Sequence, residues 1–476
     1  MNKIFERIKN EFNNIPDLKY KEIKINLLNK IYLVYIESIC DGDKINEYIL
    51  ENLSNLKNIN NLQSKLPSPN VVNIKNEDQI EFYLTNGFAI LISDNEILAI
   101  EVRGNLHRSI SESTREPSIV GPEDAFNENI FINTGLIKRR IKSSKLKTIE
   151  LFLGRKTQTK ITINYLDDVA KIDNVNKIKE KLEQIDVDGV IDCGTVINYI
   201  ESENKSVFPT VKRTERPDIA SLSLLEGKVV ILVDTSPFAI ILPTFLIDFI
   251  NPTNDNYIKS INVAFLKLLR AVAFFISMTA PAIFLATINY NQETIPSSLL
   301  INFSTQRAGV PFPSIVELLI LLLICDILRE SDLRFPSNFG SAISILGALI
   351  IGEVAVNAGI VSSIMIIITS LTFISSLIFT EHEIGNALRY YRYIFLLFAA
   401  FFGLYGIFLC LMLFLIKLIS LKSLNSPYFA PFAPFNKVYL FKTFLKKQDK
   451  KNIKRSSLIT NKNMTRGNFN WKKYLF

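Results

Sequence analysis

The 476-residue chain has only two histidines, His107 and His382, and four cysteines, Cys40, Cys193, Cys325 and Cys410. They stand too far apart for a C-x-x-C pair or for ligand spacing, which excludes a disulfide framework and a zinc site; no metal or cofactor is expected. There is no G-x-x-x-x-G-K-[ST], G-x-G-x-x-G or G-x-S-x-G. Asp186-Val-Asp-Gly-Val-Ile-Asp192 lacks the spacing and the terminal Glu of a calcium loop and reads as turn chemistry, so no enzyme is expected. The opening residues, Met1-Asn-Lys-Ile-Phe-Glu-Arg-Ile-Lys9, lack the apolar core of about 7 to 15 residues that a secretory signal needs. The N-terminal half is therefore expected to stay in the cytoplasm.

What is present is unevenly placed. The average of 48% apolar and 21% charged residues hides a succession of apolar runs from Ala264 to Ser420, too long and too uncharged for a globular core. Of the 54 Lys and Arg, 13 follow residue 421 with Asp449 as the one acid there, and the rest of the chain is near neutral. A nucleic-acid surface would spread basic residues over a folded face. Here they sit just beyond the last apolar run, where they set membrane orientation, place the C-terminus in the cytoplasm and face acidic lipid headgroups.

Composition divides the chain into an N-terminal helical or partly disordered extension (1–70, ending at Leu66-Pro-Ser-Pro69), two α/β subdomains (71–147 and 148–255), a helical membrane domain (256–421) and a basic tail (422–476). Strand signals lie at Gly87–Val102 around Asp94-Asn95, at Ile149–Leu153 with Ile161–Leu166, and at Val229–Leu242. Helical signals cover Glu123–Lys147 and Val169–Ile185. Placing Gly87 over Gly227 matches Asp94 with Asp234, Ala99 with Ala239 and Ile100 with Ile240. That echo predicts two related lobes with a hinge near 145–150.

Five membrane segments are expected: Ala264–Ile288, Ile315–Leu328, Gly340–Val356, Ile360–Phe379 and Ile394–Ile419. The second is short and reads as re-entrant or tucked against other helices, leaving four crossings and both termini on one side; six would need Phe238–Ile250 to cross. Glu353 lies deep in an apolar stretch, where an ionisable group costs about 2.5 to 3.5 kcal/mol unless it faces a lumen or a partner, and Asn357 shares its face. Glu317 and Asp326 are further pore or ion-relay candidates, or would reach water or pair with Arg329 and Arg334. Gly340, Ser344, Ala348 and Gly352 form a small-residue stripe for close helix packing. Pro281 marks a kink or an unwound turn. The cluster Lys212–Asp218 reads as a solvated loop, with anion or partner binding as the alternative.

One family resembles these residues closely, the A subunits of GerA-type spore germinant receptors. The resemblance runs from about Ile80 to Phe435. It is carried by Gly121-Pro122 with Phe126, Asn133-Thr to Arg140, Phe208-Pro209-Thr210-Val, Thr214-Glu215-Arg216-Pro217-Asp218, Gly309-Val-Pro-Phe-Pro313, Ala358-Gly-Ile-Val-Ser362 and Pro427-Tyr-Phe-Ala-Pro-Phe-Ala-Pro-Phe435. It implies a two-lobed cytoplasmic α/β domain followed by membrane helices in the inner spore membrane. The partners implied are a permease-like B subunit, a lipoprotein C subunit and further copies of this chain, together forming a nutrient-gated ion channel. The chain departs from the family in carrying Val120, Glu123 and Ala308 where the family has basic, basic and Glu residues. It has Glu353 where Gln is usual and Asn357 where a carboxylate is usual. The other reading left open is a secondary transporter or a non-conducting scaffold.

Overall fold

The computed structural model describes residues 2–26, 29–54, 62–93, 96–104, 116, 121–201, 206–251, 255, 257–334, 350–379, 381–436, 440, 455–460 and 462–465. Two antiparallel sheets fill the first half. The first joins β1 (Leu18–Asn26), β2 (Asn29–Ile36), β3 (Val71–Asn73), β4 (Phe88–Ile92) and β5 (Ile97–Glu101) in the order β1-β2-β4-β5-β3. The second joins β6 (Leu146–Leu153), β7 (Thr159–Leu166), β8 (Lys212–Thr214), β9 (Val229–Val233) and β10 (Ala239–Leu242) in the order β6-β7-β9-β10-β8. Strand for strand the order is the same. In each, a hairpin is followed by helical chain, a three-residue edge strand, a helix and a second hairpin.

Both faces of each sheet are covered, which is why β4 and β9 read as unbroken apolar runs, Phe-Ala-Ile-Leu-Ile and Val-Val-Ile-Leu-Val. In the second lobe Val229, Ile231 and Val233 point toward α4 (Ile172–Glu183) and α5 (Cys193–Glu201). Val230 and Leu232 point the other way, toward α3 (Ile130–Arg140) and α6 (Pro217–Glu226). In the first lobe α1 (Asn2–Glu11) and α2 (Gln79–Thr85) cover one face, and the helical turns over 42–54 and 62–65 cover the other.

Residues 1–70 are thus not an appended extension. They supply α1 and two of the five strands of the first sheet, with Ile31, Leu33 and Val34 of β2 buried. Likewise 123–147 is not one helix, since α3 ends at Arg140 and β6 begins at Leu146. The lobes meet through the buried carboxylate of Asp17, which accepts from Lys138 Nζ and Ser38 Oγ. Burial pushes the Asp17 carboxyl up, but the Lys138 ammonium outweighs it and holds the group below the usual range.

Beyond α7 (Leu246–Ile250) the chain is helical: α8 (Ser260–Asn289), α9 (Ser297–Arg307), α10 (Ser314–Arg334), a wide turn over Ile350–Val354 with Ala355–Asn357, α11 (Ser363–Leu377) and α12 (His382–Ser420). Two stretches, Ile261–Asn289 and His382–Ser420, are long and apolar enough to cross a membrane. α12 is not one straight helix. At Gly403 the backbone takes φ 58°, ψ −140°, and Tyr391 and Phe414 rings pack 4.8 Å apart. In a straight helix, residues that far apart in sequence would lie about 35 Å from one another. The chain therefore reverses, and the expected span at 394–419 is a hairpin of two arms. A Cβ at Gly406 would overlap the Phe398 carbonyl, and one at Gly403 would lie 3.0 Å from Tyr290 Cβ, so glycine lets the arms and the end of α8 close up.

The segment 315–328 belongs to α10, a helix of 21 residues, about 32 Å, tucked against other helices, one of the two expected arrangements. Its far end meets the end of α8 through Ser314 and Asn289, and its near end meets α11 through Arg329 and Ser376. It packs with α8, α11 and the first arm of α12 through Leu318, Leu321 and Leu322 against Leu285, Met365 and Leu396. Phe238–Ile250, needed for the six-crossing alternative, instead contains β10 and α7. Of the small-residue stripe, Gly340, Ser344 and Ala348 lie outside the described residues. Gly352 has nothing within 4 Å of an added Cβ.

Candidate functional site

Lobe 2 joins the helices through a polar junction built on residues 208–218. Pro217 opens α6, where a missing N–H costs nothing, and Asp218 follows at the positive end of the helix dipole. Asp218 takes Arg216 in two bonds, at 3.0 and 2.8 Å, and the Tyr257 hydroxyl at 2.7 Å. Burial and that bond push the Tyr257 phenol up to about 12. The cluster expected to be a solvated loop is in fact interior: Lys212–Thr214 is an edge strand, and Glu215, Arg216 and Asp218 are buried. Sheet pairing and the Arg216–Asp218 fork let charged side chains enter a packed region.

From this strand the contacts fan out. Lys212 faces Glu381 at 3.6 Å and Arg213 pairs with Glu383 at 2.7 Å, both acids at the start of α12. Thr214 donates to Glu116 at 2.7 Å. Burial raises the Glu116 carboxyl to about 7, against the pull of Lys212. Pro209 and Thr210 are buried, with Thr210 donating twice to Glu201 and accepting from Ser423 just past α12. The Phe208 ring packs, tilted, against Tyr391 and Phe414, one from each arm of α12. Both ends of the hairpin are therefore seated on one edge of lobe 2. The tail returns there as well: Lys171 donates to the Ser457 and Leu458 carbonyls, Arg455 to that of Leu225, and Lys462 faces Asp167 at 3.6 Å. Of the described tail cations, Arg455 and Lys462 thus contact lobe 2.

Within the helices the acids have partners other than those expected. Asp326 faces Arg389 at 3.3 Å and Arg392 at 3.9 Å and accepts from Tyr393 at 2.6 Å. Arg329 turns to the Ser376 hydroxyl and carbonyl, and the Arg334 side chain lies outside the described residues. Pro281 leaves α8 continuous. Its missing N–H frees the Ser277 carbonyl, and Arg392 Nε donates there at 2.8 Å. Glu317 is fully buried, taking the Ser362 N–H and hydroxyl at 2.6 Å each at the start of α11, with Arg307 4.0 Å away.

Glu353 and Asn357 differ from both. They lie exposed on and just after the wide turn, and Glu353 meets no hydrogen-bond or ionic partner among the described residues. The structure thus separates the four candidates: Glu317 and Asp326 are tied into the helix packing, while Glu353 and Asn357 are exposed. Sequence reasoning missed Arg389, Arg392 and Tyr393. Their signal was a pair of arginines one turn apart immediately before an apolar run.

Known proteins match the chain over most of its length. The family described as Bacillus/Clostridium GerA spore germination protein matches residues 6–458. Spore germination protein KA of Bacillus subtilis (strain 168) is 35% identical over 81% of this chain and 73% of its own. Spore germination protein GerLA of Bacillus cereus is 31% identical over 82% of each. An uncharacterised membrane protein of Bacillus subtilis (strain 168), YfkQ, is 33% identical over 76% of this chain and 72% of its own. The crystal structure of the N-terminal domain of the A subunit of the Bacillus megaterium spore germinant receptor GerK3 shares 30% identity. It covers 52% of this chain and 95% of that one, with a TM-score of 0.40.

Proposed function

The chain belongs to the GerA spore germination protein family, and from that premise we propose that it is the A subunit of a germinant receptor, acting as an oligomeric, ion-conducting part of the complex. The helical region lies in the inner spore membrane with the lobes and tail on the cytoplasmic side. A permease-like B subunit and a lipoprotein C subunit complete the receptor. The membrane placement is supported by large apolar side chains exposed along α8 and α12, among them Phe265, Phe275, Phe401, Phe408 and Ile416, a surface that water would not tolerate.

Glu353 carries the conducting role. An exposed carboxylate between apolar neighbours is too costly against lipid, so it faces a polar lumen, and repeated around an axis it forms an acidic ring that favours cations. The junction at 208–218 then links the lobes to the hairpin, so that a nutrient bound by a partner shifts the population of the open arrangement. Two results test the reading on the purified full-length chain and on spores. A closed ring supports it and a monomer favours a scaffold. Normal germination in Glu353→Ala spores removes the residue from the conducting path.

A further inference from the structure

Where α8, α10 and α12 cross, three guanidinium groups gather around one carboxylate. Asp326 faces Arg389 and Arg392, and Arg329, one turn along α10, has no carboxylate within 4.0 Å among the described residues. Arg392 is 1% exposed. Its Nε is used by the Ser277 carbonyl and its Nη1 faces Asp326, while Nη2 meets no hydrogen-bond acceptor among the described residues. The guanidinium is planar, so Nη2 is held in the same cluster as Nη1. The centre carries two positive charges beyond Asp326 and two buried donors without a hydrogen bond, Arg392 Nη2 and Arg389 Nε. Buried charge is retained where it is paired, and guanidinium is suited to small oxyanions and halides.

We infer that this centre binds a small monovalent anion, a halide or a carboxylate, held by Arg392 Nη2 with Arg389 beside it. The anion ties α10 to α12 and to the freed carbonyl of α8. Nothing in the inference depends on whether the complex conducts ions. The same chemistry has two sources, a free anion or a carboxylate side chain of a neighbouring subunit; the free anion is the occupant inferred, because Arg392 is 1% exposed and every described group at the cluster comes from one chain.

The test uses the purified full-length chain in detergent at constant ionic strength, with sodium gluconate replaced stepwise by sodium chloride or sodium acetate. A saturable rise in melting temperature of roughly 3 °C is expected. The midpoint should move to roughly tenfold higher concentration in Arg389→Gln. Arg392→Lys, which keeps the charge but loses the fork, should show no saturable rise. If Arg392→Lys fails to fold, crystals soaked in bromide should still show an anomalous peak beside Arg392 of the native chain. An equal rise in both variants, a rise that does not saturate, or no bromide peak overturns the inference. So does stabilisation that needs the assembled receptor and is indifferent to chloride, which would assign the cluster to a partner's carboxylate.

Discussion

In the α/β lobes three buried charges meet their opposites: Asp17 meets Lys138, Arg216 forks onto Asp218, and Lys228 reaches Asp248 at 2.6 Å. In the helical region Asp326 serves Arg389 and Arg392, while Arg392 Nη2 and the exposed Glu353 meet no partner among the described residues. The surfaces differ in the same way, since α8 and α12 present phenylalanine outward. On the proposed function, lipid, further subunits or ions would cover the apolar surface and balance the charge that the described helices leave over.

The comparison breaks most visibly at Asp17. Lys138→Ala leaves a buried carboxylate unpaired and should cost about 3 to 5 kcal/mol in urea unfolding. Lys138→Met with Asp17→Asn should recover most of that, and an equal loss in both would mean packing, not pairing, holds the lobes together. Next comes the hairpin: Gly403→Ala forces a side chain into a φ 58°, ψ −140° backbone against Tyr290 and should cost about 2 to 3 kcal/mol. An unchanged melting temperature would argue for a straight α12.

A smaller effect belongs to Glu116 at the junction. Its carboxyl, raised from 4.5 to about 7, holds a proton in the folded chain that the unfolded chain releases, so its stabilising contribution is complete below about pH 4.5 and is lost as pH rises through 7. Glu116→Gln should therefore match the native chain at pH 4.5 and exceed it by about 2 kcal/mol at pH 8. The opposite order would mean that Lys212 governs the site. The smallest effect is expected for Arg389→Gln in chloride-free buffer, under about 1 kcal/mol, because that charge is in excess. A loss as large as that of Lys138→Ala would erase the contrast between the two regions.

Much of this was legible in the residues. Apolar runs marked α8 and α11, and the echo from Gly87 to Gly227 marked β4-β5 and β9-β10 as equivalent hairpins, which the repeated strand order extends to both whole sheets. β1 escaped because an edge strand rich in lysine, Leu-Lys-Tyr-Lys-Glu-Ile-Lys-Ile-Asn, resembles a solvated segment. The reversal at Gly403 was hidden inside an unbroken apolar run, although 39 residues are too many for one comfortable crossing. At the candidate site, Glu353 stood out by its apolar neighbours alone. The partners of Asp326 did not, because Arg389 and Arg392 are distant in sequence and reach it only through helix packing. The burial of Arg216 and Asp218 was equally invisible, since pairing across two residues reads as a polar loop until the sheet beside it is known.

The most direct test of the conducting role is cation flux from liposomes holding the assembled receptor, measured on adding the germinant, with native chain and with Glu353→Gln. The account predicts that the neutral variant assembles normally and loses most of the flux. Undiminished cation flux in Glu353→Gln would contradict it.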